Sequence, residues 1–157
     1  MQLEVSQTLI REKPMKKLVL SLCVLLPNIV FAQSNVELIK ARQLAFVNIE
    51  NQSEQVEDMI DEDAPNWNEI ESISYELSKH SQLLTTAFPE SSQDGSKAKE
   101  AVWNKPEKFN QLMQEMDSGF VQLYQASQQQ DKALAEAGLE QAQDTCNACH
   151  RSYRSRF

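Results

Sequence analysis

The sequence predicts an all-α protein built as an antiparallel, up-down-up-down four-helix bundle. Residues that break helices are scarce among the 157, with three glycines and five prolines, whereas Gln, Glu, Ala and Leu, which favour helices, are abundant. Four stretches of about 20–26 residues carry apolar side chains at spacings of three, four and seven, the period of a helix with one buried face. Because most connections between them are short, consecutive helices should pack antiparallel.

The first 32 residues are expected to lie outside the folded domain. Residues 1–14 look like an over-long start, and residues 15–32 resemble a secretory signal, with two lysines, an apolar run of about 14 residues and a V-x-A cleavage site. That run is too short to span a membrane, which takes about 20 apolar residues. The remaining domain, residues 33–157, has 11 basic and 21 acidic residues and a net charge of −10, which speaks against nucleic acid as a partner.

The first helix is predicted from about Val36 to Ile60, and the second from near Asn66 to about Phe88-Pro89. Residues 90–97, rich in serine, form the one long loop. The apolar stripes expected to face the core contain Ile39, Phe46, Ile49, Val56, Met59 and Ile60 in the first helix and Trp67, Ile70, Ile73, Leu77 and Leu84 in the second.

The third helix is predicted to begin near Asn104 with Pro106 in its first turn, and the fourth to run from about Lys132 to Tyr153, capped by Asp131. The apolar face of the third contains Phe109, Leu112, Met113, Met116, Phe120 and Leu123. The face assigned to the fourth contains Leu134, Ala137, Leu139, Ala142, Thr145 and Ala148. These side chains are mostly small, so the fourth helix leaves room for a bound group.

The end of the fourth helix carries two cysteines three positions apart, with a histidine directly after the second. This C-x-x-C-H pattern is typical of c-type haem attachment. Cys146 and Cys149 can form thioether bonds to the two vinyl groups of one haem c, and His150 can ligate the iron. Together with an export signal, the motif indicates a bacterial periplasm.

A structural disulfide, a redox-active dithiol and half a zinc site are the alternatives for the same pattern. A structural zinc site takes about four N or S ligands, and beyond the motif residues 33–157 supply only His80. A thioredoxin-type dithiol belongs near a βαβ pattern, which the sequence lacks. Haem attachment is therefore the favoured interpretation.

The residue opposite His150 across the haem is expected in the first three turns of the first helix, because the bundle topology places that helix start beside the end of the fourth. The segment from Val36 to Phe46 contains no Met or His, and Lys40 lies off the apolar stripe. Phe46 is the candidate to cover the sixth position, with His80 as the alternative sixth ligand. This arrangement predicts five-coordinate, high-spin iron with an apolar distal wall that admits neutral diatomics such as NO and CO.

The domain resembles cytochrome c′, the class II c-type cytochromes, over essentially its whole length. In class I cytochromes c the C-x-x-C-H motif lies near the N-terminus, so its C-terminal placement here is specific. The matching residues are Cys146-x-x-Cys149-His150-x-x-Tyr153-Arg154, the Arg42-Gln43 pair with Phe46 four positions after the arginine, Phe88-Pro89, Trp103 and Phe109.

The resemblance implies a bundle with one covalent haem c, no protein sixth ligand, and a homodimer formed through helices one and two. It also implies that Arg42 lies near the haem propionates and that Arg154 lies on the proximal side. Two residues depart from the family pattern. Phe46 stands where Leu or Met is common, and Arg151 where an acidic residue or Lys is common.

Three functions are consistent with these features. The first is binding of NO, as buffering or sensing. The second is electron transfer to a redox partner that the sequence does not identify, including the alternative of a low-spin cytochrome with a sixth protein ligand. The third is a haem enzyme such as a peroxidase, which ranks last because the expected distal wall offers no acid–base group other than His80. The sequence therefore predicts an electron carrier or gas-binding protein rather than an enzyme.

Overall fold

The computed structural model describes residues 35–156, and the predicted over-long start and secretory signal lie outside them. Four long helices form the bundle, with a one-turn helix before the third of them. The helices are α1 Asn35–Ile60, α2 Trp67–Thr86, α3 Ala101–Asn104, α4 Pro106–Gln129 and α5 Lys132–Tyr153. The predicted all-α, four-helix class is confirmed.

Local signals set the helix ends. Asp131 caps α5, since its side chain accepts a hydrogen bond from the Leu134 backbone N–H at 3.0 Å, as predicted. Pro106 occupies the first turn of α4, where its missing N–H costs nothing. Gln130 takes a left-handed conformation (φ 54°) after α4, which closes that helix and starts the turn into α5.

The core lies between α4 and its neighbours. α4 packs against both α2 and α5, and α1 packs against the same two helices. All six apolar residues predicted for the α4 face are buried. In α2, Ile70, Leu77 and Leu84 are fully buried, whereas Trp67 and Ile73 are half-buried.

The buried face of α5 differs from the prediction. Leu134 and Ala137 are exposed, whereas Ala135 and Gly138 are buried. Gly138 meets Gly119 of α4 so closely that a Cβ on Gly119 would lie 2.6 Å from the Gly138 carbonyl oxygen. The smallest side chains therefore face α4, because they allow the two backbones to approach, and the larger Leu134 is turned to the surface.

The end of α5 is held by the loop before α3. Ala98 and Arg154 form an isolated antiparallel bridge, flanked by hydrogen bonds from the Lys99 N–H to the Tyr153 carbonyl (2.9 Å) and from the Ser155 N–H to the Lys97 carbonyl (2.8 Å). This pairing fixes the chain directly after the C-x-x-C-H motif. No helix within residues 35–156 is long and apolar enough to cross a membrane.

Candidate haem site

A cavity of about 670 Å³ lies at the end of the bundle where α1 begins and α5 ends. Its volume falls within the range of about 300–1,000 Å³ typical of small-molecule and cofactor sites. Side chains from α1, α4 and α5, together with the loop 96–98, form its walls. The bundle topology thus brings α1, the first helix of the described residues, and the C-x-x-C-H motif to one site.

The α5 wall carries the motif. Cys146, Cys149 and His150 all line the cavity, because residues three and four positions apart share one face of a helix. Both cysteines are free thiols. Burial raises the pKa of the Cys149 thiol to about 11, with a smaller contribution from Cys146, and burial also raises the pKa of Cys146. The two thiols are therefore protonated at neutral pH.

The His150 imidazole is adjusted towards its neutral form. Burial lowers its pKa, and the positive charge of Arg154 lowers it further, while Glu50 opposes the shift. A neutral imidazole offers a lone pair to a metal. Within residues 35–156 no group of three or more His, Cys, Asp or Glu side chains could hold a metal ion, and His150 is the only histidine of these residues that lines the cavity.

The α1 wall presents Phe46 to the cavity. Its side chain is 36 % exposed, although the sequence stripe placed it in the core, because it faces the open cavity rather than a neighbouring helix. The Phe46 ring packs against Phe88, with ring centroids 6.5 Å apart. Glu50, Ser53 and Glu54 lie beyond it on the same wall, so the wall is more polar than the sequence indicated.

Arg42 is the buried cation of the site, with 3 % of its surface exposed. Its guanidinium donates hydrogen bonds to the Ala87 carbonyl (3.2 Å), the Ser92 hydroxyl (2.8 Å) and the Ser92 carbonyl (2.9 Å). It also lies 4.4 Å from the centroid of the Phe88 ring. Burial lowers the pKa of Arg42.

Every partner that the described residues give Arg42 is neutral. A buried charge is normally paired with an opposite charge. Arg42 lines the cavity, so an anionic group bound there would complete the pairing. The two propionates of a haem are such groups, and the uncompensated guanidinium therefore fits a haem in this cavity.

Three further residues named in the sequence analysis can now be placed. The Asn48 side-chain amide N–H donates a hydrogen bond to His80 Nε2 at 3.2 Å, so His80 lies in the α1–α2 contact, away from the cavity walls. Met113 and Met116 of α4, assigned to the core, are buried and also line the cavity. Their helical spacing alone could not distinguish a core position from a cavity wall.

Glu50 lines the cavity but was not named in the sequence analysis. It follows Phe46 by four positions and therefore lies one turn further along the same face. Its negative charge acts on both Cys146 and His150. The four-residue spacing from Phe46 is the sequence feature that could have indicated that Glu50 lines the cavity.

A four-helix bundle with a cavity bordered by two thiols, one histidine and an uncompensated arginine defines a c-type haem protein of the bundle class. The family model described as Cytochrome C′ matches residues 37–154. The chain belongs to the cytochrome c′ family, and its cofactor is one covalently attached haem c.

Solved structures of this family share the fold. Cytochrome c′ from Rubrivivax gelatinosus has a TM-score of 0.71 at 26% identity, covering 78% of this chain and 98% of that chain. Cytochrome c′ from Alcaligenes xylosoxidans, in a ferrous variant with bound NO, has a TM-score of 0.70 at 22% identity, covering 78% and 97%. A carbon monoxide-bound variant from the same organism gives 0.70 at 23% identity, covering 79% and 98%. A search of the curated proteins found no match.

Proposed function

We propose that this protein is a periplasmic haem protein whose five-coordinate, high-spin iron binds NO and CO. Its role would be NO buffering or electron transfer rather than enzymatic catalysis. The observation that carries the proposal is the α1 wall of the cavity. The α1 residues that line it include Phe46 but no histidine, methionine or lysine, so α1 offers the iron no sixth ligand.

Each site residue has a role in this proposal. Cys146 and Cys149 would hold the haem through thioethers, and His150 would ligate its iron. Arg42 faces the propionates and Arg154 the proximal side. The haem, when bound, supplies an iron centre that takes up a diatomic gas or an electron, and Phe46 limits access to its distal face.

One comparison and one sequence prediction support the proposal. Cytochrome c′ structures with this fold have been solved with NO and with carbon monoxide bound. The export signal predicted over residues 15–32 would deliver the chain to the compartment in which c-type haem is attached.

Optical and EPR spectra of the ferric and ferrous holoprotein test this function. We expect a high-spin ferric spectrum, and an Fe–NO signal after NO is added to the ferrous protein. A six-coordinate, low-spin ferric spectrum would show that a protein side chain occupies the sixth position, in favour of a conventional electron-transfer cytochrome. Absence of the Fe–NO signal would remove gas binding from the proposal.

We also propose a homodimer formed through α1 and α2. Leu44 of α1 and Leu83 of α2 are 60 % and 47 % exposed. Each lies about one helical turn from the Asn48–His80 hydrogen bond that marks the contact between these helices. Two large apolar side chains at one seam suit burial against the same seam of a second copy.

A further inference from the structure

Glu50 places a carboxylate on the α1 wall of the haem cavity. It lies one helical turn beyond Phe46, the residue proposed to cover the sixth position of the iron. Cys146 and His150 line the opposite α5 wall of the same cavity. The carboxylate therefore faces the space in which the haem and a distal ligand would lie.

The charges around Glu50 leave it uncompensated. Within residues 35–156 it has neither an ion-pair partner nor a side-chain hydrogen bond. The neighbouring Glu54 adds a second negative charge one turn further along the wall, whereas Glu57 is already bound to the Gln143 amide at 3.0 Å. The cations that line the cavity are Arg42, Arg154 and Lys97. The Arg42 guanidinium binds Ala87 and Ser92 and lies over the Phe88 ring. Lys97 lies in the loop before α3, and Arg154 directly follows α5.

We propose that Glu50 makes the haem site discriminate between ligands by charge. Its carboxylate repels anions that approach the distal face of ferric haem, whereas neutral NO and CO experience no such repulsion. Because charges interact over several ångströms without direct contact, the carboxylate of the exposed Glu50 can act on an incoming anion without touching it. This inference rests on the proposed open sixth position. Anion rejection would then depend on a specific charge in addition to the apolar Phe46.

Azide titration of the ferric holoprotein tests this role, read from the optical spectrum at fixed pH and ionic strength. We expect Glu50→Gln to raise the azide affinity by roughly fivefold, the effect of one unit charge acting over about 10 Å in a partly screened site. Glu54→Gln is the matched control, since it makes the same change one turn away, and we expect it to change the affinity less than half as much on a logarithmic scale. The CO affinity of the ferrous protein should be the same in all three proteins.

Three results would overturn the inference. An unchanged azide affinity in Glu50→Gln would mean that the carboxylate does not act on the distal face. Equal increases in Glu50→Gln and Glu54→Gln would mean that net charge, rather than position, matters. A parallel rise in CO affinity would mean that the substitution opened the pocket sterically.

The midpoint potential provides a ligand-free measurement of the same charge. Removing a nearby negative charge destabilises the ferric state, so Glu50→Gln should have a more positive potential than the wild type and Glu54→Gln. A low-spin wild-type ferric spectrum, recorded before azide is added, would refute the open site separately. If the sixth position proves to be occupied, a shift in the midpoint potential of Glu50→Gln but not of Glu54→Gln would still show that the Glu50 charge lies beside the haem. No such shift would contradict that placement.

Discussion

Arg42 links the start of α1 to the segment that follows α2. Its buried guanidinium donates hydrogen bonds to the Ala87 carbonyl and to both oxygens of Ser92, and it lies over the Phe88 ring. The sequence analysis associated Arg42 with the propionates through the family resemblance and did not foresee these contacts. A single sequence shows that an arginine lies next to the apolar stripe, but it does not show which distant backbone carbonyls it satisfies.

We expect Arg42→Lys to lower the free energy of unfolding by about 2–4 kcal/mol, because a lysine keeps the charge but cannot serve three separate acceptors with one planar group. Denaturant unfolding of the holoprotein measures this change. Lys40→Gln, an exposed cation on the same helix, is the control and should stay within about 0.5 kcal/mol of the wild type. Equal stability of Arg42→Lys and wild type would mean that these hydrogen bonds contribute little.

In the proposed function Phe46 limits ligand entry, and its ring packs against Phe88. Replacing it with alanine removes the ring that faces the cavity. We expect Phe46→Ala to accelerate CO binding to the ferrous haem by about tenfold, which corresponds to a barrier lower by ~1.4 kcal/mol. Flash photolysis gives the rate directly. Leu44→Ala, also exposed on α1, should leave it unchanged, and an unchanged rate in Phe46→Ala would show that Phe46 does not gate the distal side.

At the level of the helices, the sequence predicted most of what local chemistry determines. The bounds of α5 agree with the structure because Asp131 supplies a cap at one end. The buried face of α5 was predicted wrongly because a hydropathy stripe ranks side chains by apolarity and ignores how closely two backbones can approach. The pairing of Ala98 with Arg154 could not be predicted, since it joins residues far apart in the chain without a turn signal.

The close approach of α4 and α5 predicts the direction in which a glycine-to-alanine substitution changes the stability of the protein. In an isolated helix, replacing glycine with alanine stabilises by about 1 kcal/mol. In Gly119→Ala the new Cβ would lie 2.6 Å from the Gly138 carbonyl oxygen and 2.7 Å from the Ala142 nitrogen, and both are backbone atoms that move only if the helices separate. We therefore expect a loss of about 1–3 kcal/mol.

Thermal and denaturant unfolding of Gly119→Ala measure this loss. Ser118→Ala is the matched control, because it alters the neighbouring, exposed residue and should leave stability equal or slightly higher. A gain in stability for Gly119→Ala would mean that the backbones of α4 and α5 lie further apart than the structure has them.

On the scale of the whole molecule, the antiparallel topology builds the site from both ends of the domain. The start of α1 supplies Arg42, Phe46 and Glu50, and the end of α5 supplies the motif. The sequence analysis could place these two ends together because an even number of antiparallel helices returns the chain to its starting end. It could not tell which charged residues on α1 face inward, since a cavity exposes side chains that a packed core would bury.

The same topology leaves the outer seam of α1 and α2 available to a second copy. We expect Leu44→Glu to convert the proposed dimer into a monomer, because the interface would then have to bury a charge without a partner. Sedimentation velocity of the holoprotein should show the mass halved at concentrations where the wild type is dimeric. Leu134→Glu introduces the same change at an exposed leucine of α5 and should leave the dimer intact. A monomeric wild type, or dissociation in Leu134→Glu but not in Leu44→Glu, would contradict an interface on α1 and α2.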